Sequence, residues 1–221
     1  MNVILFGASG MVGQGVLREC LRDPGVSRVL VIGRQPLGQR REKLRELIRP
    51  DIGNLADSSL TSELRNYDAC FFCVGTSAAG LTEDEYRRVT RDLTLSAANT
   101  LAALNPGLTF IYVSAAGADS STQGRLMWAR VRGETENALL KLPVRATYIF
   151  RPGLIQPLHG IKSKTRAYRL FYTYGAPLVS IIKTVAPNHI TTTEQIGRAM
   201  LSVVRHSWGN PILEIRDINR L

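Results

Sequence analysis

The chain opens on "MNVILFGASGMVGQGVLRECLRD", and this stretch constrains the fold more than any other. "NVILFG" (2–7) is a short apolar run ended by glycine, the pattern of a buried strand. Val12, Val16, Leu17, Cys20 and Leu21 then recur at helical spacing and make one apolar side, until "PG" at 24–25 stops the run. Between strand and helix lie Gly7, Gly10 and Gly13, spaced G-x-x-G-x-x-G. Such a loop needs glycine for a tight turn, for close approach of backbone to a pyrophosphate, and for helix-to-strand packing. The helix starting near Met11 aims its free N–H groups and positive dipole end at the phosphates. A glycine triplet alone is a weak signal. Placed between a strand and a helix, it predicts a dinucleotide site built from Gly7, Ala8, Ser9, Gly10, Met11, Val12 and Gly13.

The rest of the chain continues the alternation. Strands are expected over 28–33, 45–49, 69–75, 108–114, 144–153 and 211–218. Helices are expected over 83–104, 125–141 and 192–205, with a broken helix over 163–183. Thr82 with Glu85 three residues on is a capping-box start for the longest of them. The alternation predicts an α/β, Rossmann-like, doubly wound parallel sheet with helices on both faces. The less regular stretch at about 154–192 predicts a small C-terminal substrate or lid lobe inside a single domain of residues 1–221. A chain of 221 residues, 44% of them hydrophobic, is long enough to bury one substantial core.

The formal net charge is +10, which raises the question of an acidic partner. The charge is arginine-heavy and spread along the chain, densest at 34–45 and 161–169. A solvated surface is the first reading, an anionic cofactor or membrane surface the next, and nucleic acid the last, since no nucleic-acid module shows. "CFFC" (70–73) has the spacing of a redox or metal pair. It falls on a buried strand, where residues three apart point to opposite faces, and no second pair completes a zinc site. Small apolar side chains in a reducing compartment are the reading, with no metal expected. No apolar run approaches the roughly 20 residues of a membrane span, and the N-terminus lacks the pattern of a secretory signal. The cytoplasm is the expected compartment.

The end of the second strand bears on the cofactor. An acid placed there would hold the ribose 2′-hydroxyl of NAD. Here "VIGRQ" places Arg34 after Gly33. A guanidinium suits a 2′-phosphate, so NADP(H) is favoured over NAD(H), against the plainer reading of a surface arginine in an arginine-rich chain. Ligands in such sheets sit beyond the strand C-termini. Val74, Gly75, Thr76, Ser114, Pro152, Gly153 and Leu154 stand at those ends and complete the expected cofactor contacts.

"GASGMVG", "CFFCVGTSAAG", "EYRRVTRDLTLSAA", "YVSAAGADSS", "VRGETENAL" and "FRPGLI" run in order from Met1 to about Pro157. With them the chain resembles the atypical short-chain dehydrogenase/reductase superfamily, and more closely its Tat-interacting-protein-like NAD(P)-binding branch. The resemblance implies a nicotinamide near the ends of the fourth to sixth strands. It implies a serine at Ser114 that helps bind a substrate carbonyl. It also implies a tyrosine for proton transfer and, four residues on, a lysine at the nicotinamide ribose. Aligning "RGE" with the family's "KGE" places Trp128 at the tyrosine and Arg132 at the lysine.

Trp128 cannot replace a phenol, because its indole N–H is a donor without useful acidity. Arg132 can still bond ribose hydroxyls or a diphosphate and stays charged at any working pH. Four apart on a helix, the two share a face. Three readings stay open. The first is a reductase passing hydride to a quinone or flavin, where solvent delivers the proton. The second is carbonyl chemistry with an acid recruited from Tyr168, Tyr172, Tyr174 or His159. The third is a non-catalytic NADP(H)-binding sensor or partner-binding regulator, which the resemblance also suggests. The basic, aromatic segment 159–178 is read as a pocket cover, with peripheral membrane contact as the competing reading. A monomer or homodimer acting on a small molecule is expected.

Overall fold

The computed structural model describes residues 1–161 and 190–221. The first strand, β1 (Asn2–Phe6), leads into α1 (Met11–Arg22), then β2 (Arg28–Gly33) and β3 (Leu44–Ile48). A short 3-10 turn at Ser58–Leu60 precedes β4 (Ala69–Phe72). The long helical run follows as α2 (Glu83–Arg87), a π turn (Arg88–Asp92) and α3 (Leu93–Leu104). Then come β5 (Thr109–Val113), α4 (Met127–Leu139), β6 (Ala146–Arg151) and β7 (Leu154–Gln156). The described chain resumes with β8 (Ile190–Thr192) and α5 (Thr193–His206), and ends with β9 (Ile212–Glu214) and α6 (Ile215–Arg220).

Seven strands form one sheet in the order β3-β2-β1-β4-β5-β6-β9, every neighbouring pair parallel. The fold is therefore the Rossmann-like doubly wound sheet expected from the sequence. Alternation along each strand divides the core into two layers. Val3, Leu5, Val29, Val31, Phe71 and Ile111 face a layer completed by Val16, Leu17 and Cys20 of α1 and Ile196, Met200 and Val203 of α5. Ile4, Phe6, Leu30, Ile32, Cys70, Phe72 and Phe110 face the other, completed by Ala97, Ala98 and Leu101 of α3 and Leu139 of α4. Cys70 and Cys73 accordingly lie against opposite layers. All three thiols are free, and burial pushes each of them up.

The structure corrects the sequence reading at several places. The expected final strand over 211–218 is only Ile212–Glu214. Glu214 and Asp217 form a reciprocal capping box, with the Glu214 N–H donating to Asp217 Oδ2 at 3.1 Å, and this starts α6 where the strand was expected to continue. The expected helix over 83–104 carries the π turn. A second, two-stranded parallel sheet pairs β7 with β8 at Leu154↔Ile190, Ile155↔Thr191 and Gln156↔Thr192. It stands where the C-terminal lobe was expected to begin. The broken helix over 163–183, most of the segment 159–178, and Tyr168, Tyr172 and Tyr174 lie outside the described residues.

Candidate functional site

Because the sheet is parallel, the C-terminal ends of β1, β4, β5 and β6 lie along one edge, where sheets of this kind form their ligand crevice. The loop after β1 enters it first. Gly7 has φ +74°, and a side chain on it would stand 2.5 Å from the Cys73 carbonyl oxygen beyond β4. A Cβ on Gly13 would stand 2.1 Å from the Gly7 carbonyl oxygen. These two glycines press the loop, the start of α1 and the end of β4 together. The Gly10 N–H donates to the Gly7 carbonyl at 2.9 Å and closes the turn. Gly10 caps α1 with no side-chain hydrogen bond, and the first turn of α1 has no acidic residue. The leading N–H groups of Met11, Val12 and Gly13 thus face the crevice mouth uncapped. Ser9 is exposed there, whereas the Ala8 side chain is buried in the core and offers only backbone.

Arg34 follows β2, exposed, and has neither ion pair nor hydrogen bond among the described residues. Gly75 and Thr76 are exposed beyond β4, and Val74 packs on the core layer beneath. Past β5 and β6 the backbones stay joined. The Ser114 N–H donates to the Phe150 carbonyl at 2.8 Å, and the Ala116 N–H to Pro152 at 3.1 Å. Pro152 is buried, Gly153 is exposed, and Leu154 opens β7.

Ser114 does reach the end of β5, but its hydroxyl donates to the carboxylate of buried Glu136 on α4. Glu136 also accepts three hydrogen bonds from Nε and Nη2 of Arg151, and Arg151 reaches on to Ser120 Oγ at 2.6 Å and Glu214 Oε1 at 3.2 Å. Burial opposes charge on Arg151, yet these two carboxylates hold its pKa above the ordinary value. The Ser114 proton is therefore committed to an ionic network, and donating it to a substrate carbonyl would break that bond. Sequence reasoning named neither Glu136 nor Arg151. Their one visible signal was Glu136 standing four residues after Arg132.

Trp128 and Arg132 share α4 but differ in setting. Trp128 is half-buried and belongs to neither core layer; its Cη2 lies 3.4 Å from where a Cβ on Gly117 would be. Gly117, at φ +85°, is the floor on which the indole rests. Arg132 is 9% exposed, and its Nη1 is buried with no hydrogen-bond partner. Burial works against its charge, while Tyr112, Tyr86 and Glu136 nearby hold its pKa above the usual value. Burial likewise pushes Tyr112 up to about 12, with Arg132 opposing. His159, at φ +57°, bonds Glu194 through Nε2 and so faces α5.

No family model matches the chain. Among curated proteins, it is 29% identical over 154 residues to "Protein HTATIP2" of Rattus norvegicus, covering 70% of this chain and 62% of that one. It is 32% identical over 162 residues to "Protein fmp52, mitochondrial" of Emericella nidulans, covering 70% and 66%. The chain belongs to the Tat-interacting-protein-like branch of the atypical short-chain dehydrogenase/reductase superfamily. The chain spans 50% to 66% of the length of the first curated relatives that it matches. Among solved structures, the Bordetella bronchiseptica enzyme WbmF in complex with NAD+ superposes at a TM-score of 0.66 with 14% identity, covering 99% of this chain and 76% of that one. That likeness is one of fold.

Proposed function

We propose that this chain is an NADP(H)-binding oxidoreductase that passes hydride to a small organic acceptor (a quinone, a flavin or a carbonyl) without the family's tyrosine–lysine pair. The observation that carries the reading is the first loop. Gly7 and Gly13 let the loop, the start of α1 and the end of β4 close up backbone to backbone, which holds the uncapped N-terminus of α1 beside the ends of β1 and β4. That arrangement fits a diphosphate. Relatives in the same branch and the NAD+ complex of WbmF lend it further support.

The bound cofactor would supply the hydride. The chain's own groups would bind and orient. The N–H groups of Met11, Val12 and Gly13 would hold the diphosphate, and the unpaired guanidinium of Arg34 would meet a 2′-phosphate. Arg132 would take ribose hydroxyls at the nicotinamide end, with Gly75, Thr76 and Gly153 leaving room beside it. Trp128 would wall the acceptor side and move no proton, so water delivers it. Ser114 then serves the Glu136–Arg151 network in place of a direct contact with the acceptor.

A titration followed by nicotinamide fluorescence tests the cofactor. Arg34→Glu is expected to weaken NADPH at least about tenfold while leaving NADH nearly unchanged, because only NADPH places a phosphate there. Equal effects on both would remove the preference. The spent hydroxyl of Ser114 and the indole at 128 favour a second reading, a non-catalytic NADP(H) sensor. Oxidation of NADPH against quinones, flavins and aldehydes separates the two: turnover supports the enzyme, and tight binding without turnover the sensor.

A further inference from the structure

Trp128 stands in the first turn of α4, and the connection that leaves β5 holds it at the crevice end of the sheet. The Ala116 N–H binds the Pro152 carbonyl beyond β6 at 3.1 Å. Gly117 follows, and the indole Cη2 lies 3.4 Å from where its Cβ would stand. The connection is pinned to α4 on either side of the ring, by the Asp119 N–H on the Ala129 carbonyl at 3.0 Å and by Arg130 Nη1 on the Gly124 carbonyl at 2.6 Å. The indole is thus a fixed ring beside the ends of β5 and β6, half-buried and outside both core layers. A partly uncovered aromatic ring packs well against a second flat, conjugated ring and poorly against a saturated chain.

The same end of the sheet has no phenol or imidazole free to give a proton among the described residues. The Ser114 proton goes to Glu136, Tyr112 is 1% exposed within a core layer, and His159 turns to Glu194. Reducing an isolated carbonyl makes an alkoxide, which needs a proton as it forms. Reducing a conjugated ring leaves an anion spread over that ring, of which a phenolate, with an acid pKa of about 10, is the model, so water can deliver the proton afterwards. Both observations select the same kind of acceptor.

We infer that Trp128 is a specificity residue: it stacks on a flat conjugated acceptor of quinone or flavin type and disfavours an aliphatic carbonyl. This rests on the oxidoreductase reading above. The acceptor gains two electrons and one hydrogen, as hydride, from the reduced cofactor and one proton from water; the reduced ring and the oxidised cofactor leave.

The test follows NADPH oxidation with menadione, lumiflavin and hexanal, and NADPH binding by nicotinamide fluorescence, in wild type, Trp128→Leu and Trp128→Phe. Wild type is expected to reduce menadione or lumiflavin, whichever ring source the site takes, with kcat/KM at least about a hundredfold above hexanal, the scale of a missing general acid. Trp128→Leu keeps apolar bulk and removes the ring. It is expected to raise KM for that acceptor about tenfold while NADPH affinity stays within about twofold. Trp128→Phe should bring KM back to within about threefold of wild type, a rescue that a merely structural indole would not show. Should Trp128→Leu fail to fold, fluorescence decides. With NADP+ bound, the ring acceptor should quench wild-type tryptophan emission well beyond that of Trp128→Phe, which keeps only Trp208. Unchanged KM in Trp128→Leu, an equal loss of NADPH affinity, equal quenching in wild type and Trp128→Phe, or a wild-type preference for hexanal overturns the inference. NADPH binding without turnover of any acceptor overturns it too and leaves the cofactor reading standing. Wild-type protein that binds no NADPH overturns both.

Discussion

A Cβ on Gly133 would stand 1.7 Å from the carbonyl oxygen of Asp119, closer than at any other glycine in the described chain. The β5–α4 connection folds back over α4 at that point. The Asp119 N–H donates to the Ala129 carbonyl at 3.0 Å, and Asn137 Nδ2 to the Ser120 carbonyl at 2.9 Å. Gly133→Ala must therefore push the connection outward, at a cost of about 2–3 kcal/mol, typical of overpacking. Urea unfolding should read this as a lower midpoint, and an unchanged midpoint would mean the connection yields freely. In the sequence Gly133 served only to register "RGE" with the family. Its steric role was not legible, because the partner atom is backbone from a loop with no periodicity. Ser114 makes the same point. Its place at a strand end was readable, but the direction of its hydroxyl depends on Glu136, 22 residues later, and on Arg151 beyond that.

At the scale of elements, the π turn decides which residues of the long helical run are buried. An ideal α-helix turns about 100° per residue, so positions four apart drift by about 40° at each step. Tyr86, Thr90 and Thr94 are nevertheless all buried, at 1%, 7% and 1% exposure. The wider turn at Arg88–Asp92 takes up the drift and keeps the three on one side. One long helix was the expectation for 83–104, and the π turn within it was not read from the sequence. Deleting Val89, which is 42% exposed, should convert the π turn to α-helix and rotate α2 relative to α3. Arg87 would then leave Glu134, whose two oxygens it now reaches at 3.0 and 2.9 Å. We expect a lower thermal midpoint; an unchanged midpoint in the deletion variant would show that α2 needs no fixed rotation. Elsewhere the strand–helix alternation was read correctly, because buried parallel strands announce themselves as short apolar runs. The exceptions among the described residues are the short strands β7 and β8, three residues each, and α6, which depends on the reciprocal cap between Glu214 and Asp217.

Across the described molecule, carboxylates bound by basic side chains stitch distant elements together. Arg205 holds Asp23 between α5 and α1, Arg87 holds Glu134 between α2 and α4, and His159 holds Glu194 between the chain after β7 and α5. Each partner lowers its carboxylate below the ordinary values of 3.8 for Asp23 and 4.5 for the two glutamates. A carboxylate lowered in the folded state contributes stability that is fully present above its ordinary pKa and is lost as pH falls through the lower folded value. Stability should stay flat from neutrality down to about pH 5 and fall below about pH 4, steepened by the self-repulsion of a chain already at +10. Urea midpoints across that range check it; a constant midpoint down to pH 3 would show these pairs to be idle. The strand pairing of β7 with β8 has a different consequence. The Leu154↔Ile190 register is reinforced by the Leu158 N–H donating to Thr193 Oγ1 at 3.2 Å and by His159 on Glu194. The first turn of α5, the helix that covers one face of the sheet, is thereby tied to the chain that follows β6, so a shift of that helix drags the strand end with it.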